Sequence, residues 1–403
     1  MRTVSKTVIG VDFGTQSARA VLVNAENGEI IYSCRKEYHY NSTPVPAIDC
    51  AENLPCATDY EMTLYELLRN VIPEEYRKTV AGICIDATSL TMVLLAEDGR
   101  ALSELDGWSE AAHARVKLWK YHRAQEKADE ALNLASNLQE PFLGRTGGSI
   151  SCEWMLPKLL EVRDEAPEIY SKIDLAMDLC EFLTFRLTGQ LVRSIGSLSY
   201  KCLWAEDLSF PERTFLNGLR AGFYEEYCHF LRGDVRKPGE CAGMLRSELT
   251  KRWGLPEQIP VATGMLDGHT SLATMGAFEP GDAALIVGTS NVCTVQDRKL
   301  QELKDVCGVA QDGMVTGSCG IDTGQSSTGN MLGWFVEHMA GWQIHREAEE
   351  RKISPHQVLA ERIQKPWENK VIAVDWWSGS RNAPCDLTLR GSMSGLEMDT
   401  KTQ

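Results

Sequence analysis

Apolar residues open the chain in short runs, Val8 to Val11, Ala18 to Val23 and Ile30 to Tyr32, parted by Gly14-Thr15 and by Asn27-Gly28. Runs of this length between turn residues predict strands, and Asn-Gly is a strong hairpin signal. The chain therefore begins as an antiparallel meander. Met62, Tyr65, Leu68 and Val71 then recur at helical spacing and lead into an apolar strand, Val80 to Ile85, closed by Asp86. Helix followed by strand predicts an α/β layer. Helices are also expected over Ala114 to Leu132, Cys152 to Val162 and Leu175 to Leu187, the last stopped by Gly189. Residues 237–254 weaken into polar sequence with Gly and Pro, which divides the chain into a first domain over 1–245 and a second over 246–403. A strand at Ile259 to Ala262 opens the second.

Two stretches share one pattern. VIGVDFGTQSARAVLVN, Val8 to Asn24, and DAALIVGTSNVCTVQD, Asp282 to Asp297, both read as strand, Gly-Thr turn, strand. A turn of Gly and hydroxyl residues is either an ordinary tight hairpin or a cradle whose backbone N–H groups and hydroxyls suit phosphate oxygens. No Gly-Lys-Ser/Thr of a Walker A loop is present. Asp12 lies inside an otherwise core-bound strand, and a strand-end carboxylate beside a phosphate cradle suits a hydrated Mg²⁺.

A third stretch, ATGMLDGHTSLATMGA, places Asp267 between a strand and a small-residue run, Gly268 to Ala277, that looks helical. Asp267 is then either the N-cap of that helix or a general base that takes a proton from an attacking hydroxyl. Its position about twenty residues before Gly288-Thr289, emerging from the same sheet edge, favours the base.

Composition narrows the partners. A net charge of −15 repels nucleic acid and anionic lipid surfaces. Thirteen cysteines without a Cys-x-x-Cys pair read as reduced thiols in a cytoplasmic protein, and most as small buried hydrophobes. No signal peptide is expected, and no run approaches the roughly 20 apolar residues of a membrane span.

VIGVDFGTQSARA, MLDGH and IVGTSN, in this order and spacing, resemble the FGGY carbohydrate kinases. LWKYHRA, CEWMLPKLL, YKCLW, GIDTGQSSTGNMLGWF and VDWWSGSRNAPCDLTLRGSMSGL point to the ribulokinase branch, and the likeness runs from Val8 to Thr400. The resemblance implies an α/β protein of two ribonuclease-H-like (actin-like ATPase) domains with a cleft between them. It implies ATP and Mg²⁺ as cofactors and a pentulose as substrate, L-ribulose first, with D-ribulose, D-xylulose, a pentitol or a non-catalytic sugar-binding relative as alternatives. By resemblance Asp267 is the catalytic base and, with Asp12, a metal-side carboxylate. Gly14, Thr15, Gln16 and Ser17 form the first phosphate turn, and Gly288, Thr289 and Ser290 the second. Ser89, Lys201 and Asp322 are the sugar contacts, each with a plainer reading as strand-end cap, surface charge and turn residue. Where the branch usually carries Glu this chain has Asp322, where many relatives have Asp it has Tyr121, and Ser378 stands where Asn is common. The family continues past residue 403 with the part that receives adenosine, so the second domain is expected to be incomplete, by truncation or by degeneration. A small-molecule sugar is the expected partner, with no nucleic acid and no membrane, and a homodimer is left open.

Overall fold

The computed structural model describes residues 5–38, 54–288, 290–362, 371–382, 385–386 and 388–398. The opening meander is present: β1 (Thr7–Phe13), β2 (Ser17–Asn24) and β3 (Ile30–Glu37) pair antiparallel in sequence order. Strand β1 alternates, burying Ile9, Val11 and Phe13. Helix α1 (Ala57–Asn70) turns Tyr60, Leu64, Leu67 and Leu68 onto the same core, the spacing of one helical face. Each such apolar side chain contributes about 1.5–3 kcal/mol on burial. Strand β4 (Val80–Ala87) then runs parallel to β1, with Asp12 opposite Asp86.

Three expectations change. Residues 115–124 are not helical, because Lys117 exchanges both backbone hydrogen bonds with Met92 of strand β5 (Met92–Leu95), N···O 2.8 and 3.1 Å. Those groups are lost to any helix, and α2 (Gln125–Leu138) starts only beyond them. Helix α3 (Met155–Glu165) lies where Cys152 to Val162 was read. Leu175 to Leu187 is not one helix: β6 (Leu175–Asp178) pairs antiparallel with β5, and α4 (Leu179–Thr188) comes after it. Asp178 caps α4, accepting from the Cys180 N–H while Glu181 accepts from the Asp178 N–H. That reciprocal pair fixes the helix start, and Gly189, at φ 72°, ends it. Helix α5 (Ile195–Lys201) comes next.

The third change concerns the strand expected to open a second domain. β7 (Cys241–Met244), β8 (Pro260–Ala262) and β9 (Met265–Leu266) hydrogen-bond into the first sheet, whose order is β3-β2-β1-β4-β8-β7, with β9 also on β4. Val261, fully buried, pairs in parallel with Ile83, so an apolar strand finds its cover there. Helix α6 (Asp267–Met275) starts directly after β9.

The chain divides into two compact units, Met1–Ala284 with Thr294–Asp322, and Leu285–Cys293 with Thr323–Gln403. The second Gly-Thr hairpin is formed by β10 (Ala283–Val287) and β11 (Asn291–Asp297), which join β12 (Gly308–Gln311) and β13 (Cys319–Gln325) in the order β10-β11-β13-β12. The second unit also carries helices Gly329–His338, Trp342–Arg351 and Pro355–Arg362, with Ile344, Ala348 and Val358 as a small core. Among the described residues no helix is long and apolar enough to cross a membrane.

Candidate active site

Three parallel neighbours, β1, β4 and β9, bring their carboxyl ends to one edge of the first sheet. Asp12 is in register with Asp86, and Asp86 with Met265, so Asp267, two residues further on, leaves from that edge too. Leu266 occupies the N-cap position of α6, and Asp267 is the first helical residue rather than the cap. Its carboxylate accepts from its neighbour Gly268 N–H at 2.7 Å, and the Ser89 backbone N–H is near enough to favour its ionised form.

Burial, reinforced by the charge of Asp12, pushes Asp267 up to about 6, while the two N–H groups and Lys201 restrain the rise. Asp86 goes further, to about 8, through burial first and then through Asp12 and Asp267. Asp12 stands opposite Asp86 in the parallel register, so its charge opposes ionisation of Asp86. Asp86 Oδ1 has no partner. Asp86 was not among the residues singled out in the sequence, although it ends an apolar strand just as Asp12 does.

Beside this edge lies a second charged group in the same unit. Lys201, in the last turn of α5, places Nζ 3.4 Å from Asp322 Oδ2, and His269 Nε2 lies 3.7 Å from the same oxygen. Burial pushes the Asp322 carboxyl up, but Lys201 and His269 outweigh it and hold it at about 2. Tyr200 packs edge-on against His269, ring centroids 4.7 Å apart, and donates its hydroxyl to the Gly320 carbonyl at 2.7 Å. Ser89 Oγ and His269 Nδ1 are buried without a hydrogen-bond partner. Leaving such groups unmet costs about 1–3 kcal/mol each, a cost that a polyhydroxylated ligand is equipped to remove. His269, like Asp86, carried no signal of its own in the sequence beyond standing next to the candidate base.

The two Gly-Thr turns are built alike. The Gly14 N–H is taken by the Ser17 carbonyl at 3.2 Å, and the Gly288 N–H by the Ser290 carbonyl at 3.1 Å. The glycine N–H groups expected to face phosphate are thus used inside the turns. A Cβ at Gly14 would stand 3.3 Å from the Ser17 carbonyl oxygen, tighter than an alanine sits comfortably. Thr15 Oγ1 accepts from Trp119 Nε1 at 3.0 Å, Ser17 Oγ accepts from Arg35 Nε at 3.0 Å, and Gln16 is exposed. In the second unit the Gly288 carbonyl accepts from Gly329 N–H at 3.0 Å, tying that turn to the start of a helix. Ser290 is half-buried there, and Thr289 lies outside the described residues. Tyr121, the departure noted in LWKYHRA, is buried, with its hydroxyl 3.0 Å from Glu161 and 3.1 Å from Lys117 Nζ.

Among the described residues no three His, Cys, Asp or Glu side chains converge into a metal cage. Asp12 with Asp86 offers one or two carboxylates instead, the donor set of a Mg²⁺ that keeps most of its waters. The unpartnered Asp86 oxygen and the repulsion among the three carboxylates are what a divalent cation relieves, so the residues fit such an ion.

Comparison with known proteins agrees with this geometry. Residues 7–274 match the N-terminal domain of the FGGY family of carbohydrate kinases, and residues 283–403 match its C-terminal domain. A ribulokinase of Halalkalibacterium halodurans is 32% identical over 409 residues, covering 99% of this chain and 73% of that protein. A ribulokinase of Mycolicibacterium smegmatis is 35% identical over 411 residues, covering 98% and 72%. Among solved structures, xylulose kinase from Lactobacillus acidophilus superposes with a TM-score of 0.76 at 18% identity, over 98% of this chain and 74% of that one, a likeness of fold. With both domains matched along its length, and with the base candidate, the strand-end carboxylates and the first glycine turn held in one compact unit, the chain belongs to the FGGY family of carbohydrate kinases.

Proposed function

We propose that the protein transfers the γ-phosphoryl group of ATP to the terminal hydroxyl of a pentulose, L-ribulose first. The observation that carries this reading is Asp267: a carboxylate at the edge of the sheet, held by the Gly268 N–H and poised near 6, with Ser89 and Lys201 beside it. A base must be ionised at working pH yet keep appetite for a proton, and a value near 6 meets both needs. In the proposed reaction Asp267 takes the proton of the sugar hydroxyl, whose oxygen attacks the γ-phosphorus in line. Lys201, Asp322 and Ser89 bind the other hydroxyls and fix the sugar's orientation. Thr15, held by Trp119, faces the phosphate chain in the first unit, and Gly288 and Ser290 belong to a turn of the same kind in the second, to which Thr289 is assigned by resemblance. Asp12, with Asp86, would hold Mg²⁺, which supplies charge neutralisation at the phosphates when bound.

Pentulose as the substrate class is favoured by the ribulokinase relatives, and the paired Lys201–Asp322 suits a ligand with several hydroxyls. The test is ADP release by this chain over a panel of L-ribulose, D-ribulose, D-xylulose and pentitols, run beside Asp267→Asn. Turnover fastest with L-ribulose and abolished in the variant supports the reading. A variant as active as the parent removes Asp267 from the role, and sugar binding without turnover by the parent would make the chain a sugar-binding relative.

A further inference from the structure

One fully buried ammonium is not used by the proposed chemistry. Lys158, on α3, donates from Nζ to the carbonyls of Leu90 at 2.9 Å, Leu118 at 2.9 Å and Lys117 at 3.4 Å. Its N–H groups meet three carbonyls without a carboxylate partner, and burial pulls it down from the usual lysine range to about 7. Two of those carbonyls lie one residue away from groups that hold the site. Leu90 adjoins Ser89, whose N–H favours the ionised form of Asp267. Leu118 adjoins Trp119, whose indole holds the Thr15 hydroxyl. A single side chain thus stands behind both the base and the first phosphate turn.

Leu90 also has φ 44°, a conformation that branched L-residues avoid and keep only when the surroundings impose it. Two buried groups impose it here. Lys158 grips its carbonyl, and Asp178 Oδ2 accepts its N–H at 2.8 Å. The same Asp178 oxygen accepts from Ser197 Oγ at 3.1 Å, and Ser197 lies on α5, the helix that ends in Lys201. Thr88 N–H reaches the Phe13 carbonyl at 3.0 Å, and the Thr88 and Thr91 hydroxyls are 2.8 Å apart, so the whole 88–91 turn is tied down.

We propose that Lys158 is a positioning residue that keeps Asp267, through Ser89, and Thr15, through Trp119, in one register, with Asp178 extending the brace to the helix bearing Lys201. A salt bridge would have stabilised a buried lysine more directly. The ammonium is spent instead on backbone carbonyls of two loops, where it orders geometry. The proposal rests on the phosphotransferase reading, so its test has one arm that does not need turnover.

The variants are Lys158→Met and Lys158→Arg in the full chain, compared with the parent in initial rates and in amide hydrogen exchange followed by mass spectrometry. Misplacing reacting groups by about 1 Å can cost about 100-fold, so Lys158→Met is expected to lose kcat on that scale per folded molecule. Sugar KM should change far less than kcat, because Lys201 and Asp322 stay in place and only Ser89, in the loosened turn, is disturbed. Amides of 88–91 and 117–120 should exchange faster while those within α2 keep their protection, and Lys158→Arg should recover part of both effects. An unchanged kcat per folded molecule, or a loss explained entirely by the unfolded fraction, overturns the proposal. If the parent itself shows no sugar-dependent ADP release, the phosphotransferase reading fails, and the exchange arm decides alone: unchanged protection at 88–91 and 117–120 overturns the brace.

Discussion

Asp12 and Asp86 stand opposite each other on parallel strands, two carboxylates at one edge of the sheet. Burial, reinforced by the charges of Asp12 and Asp267, therefore favours the protonated form of Asp86. Asp86, at about 8, binds that proton more tightly in the folded chain than in the unfolded one. The stabilisation is complete below the unfolded value of about 4 and is lost as pH rises through about 8. Denaturant unfolding of the parent and of Asp86→Asn, from pH 5 to pH 9, should give a difference that favours the variant increasingly with pH. Added Mg²⁺ should narrow that difference by stabilising the parent at high pH, and a difference that does not change with pH would contradict the assignment.

Asp267 predicts the acid limb of activity. Ionised above about 6, it accepts a proton there and not below, so kcat/KM should rise with pH and level off past that value. Asp267→Asn should lower kcat by about 10²- to 10⁴-fold, the usual span of a general base, and the residual rate should lose the limb. A limb that survives the substitution would belong to another group.

Asp322 neutralises a lysine that has little access to water. Replacing it by Asn leaves Lys201 and His269 facing an amide, so the sugar KM should rise while the ATP KM stays within about threefold, with a stability loss of about 1–3 kcal/mol. The pH sign is opposite to that of Asp86. Held at about 2, Asp322 stabilises the fold above the unfolded value of about 4, and that contribution disappears as pH falls through about 2. Acid unfolding of Asp322→Asn should be correspondingly shallower between those values.

On the proposed reading Trp119 acts on the nucleotide side through its bond to Thr15. Trp119→Phe keeps the ring and removes the indole donor to Thr15, a bond of about 0.5–1.5 kcal/mol, so the ATP KM should rise about 2- to 10-fold with little change for the sugar. A shift confined to the sugar would place Thr15 elsewhere in the reaction.

Much of this site was legible in the sequence because it depends on short-range pattern. The hairpin around Gly14-Thr15, the strand ending at Asp86 and the helix after Asp267 arise from apolar runs and turn residues only a few positions apart. What the sequence hid depends on distant partners. Residues 115–124 look helical until Met92 claims the backbone of Lys117. Leu175 to Asp178 looks like helix until β5 pairs with it, although the Asp178-x-x-Glu181 capping pattern marks the true start. The placement of β8 on β4 moved Asp267 into the sheet of Asp12, which no local spacing announces. Asp86 and His269 gain meaning only from the groups folded against them, and Lys158 carried no signal of its own in the sequence.

The order of assembly is set by where the four aspartates lie. Asp12 is made first and Asp86 soon after, yet the strand that delivers Asp267 and the segment that carries Asp322 enter the first unit only after the helices between them have been synthesised. During translation the nascent chain thus carries a half-built sheet whose β4 edge waits for β8 and β9. Long-range parallel pairing of this kind is slow, and an uncovered apolar edge is where misassembly begins. Catalytic competence and protection from aggregation arrive with the same strands.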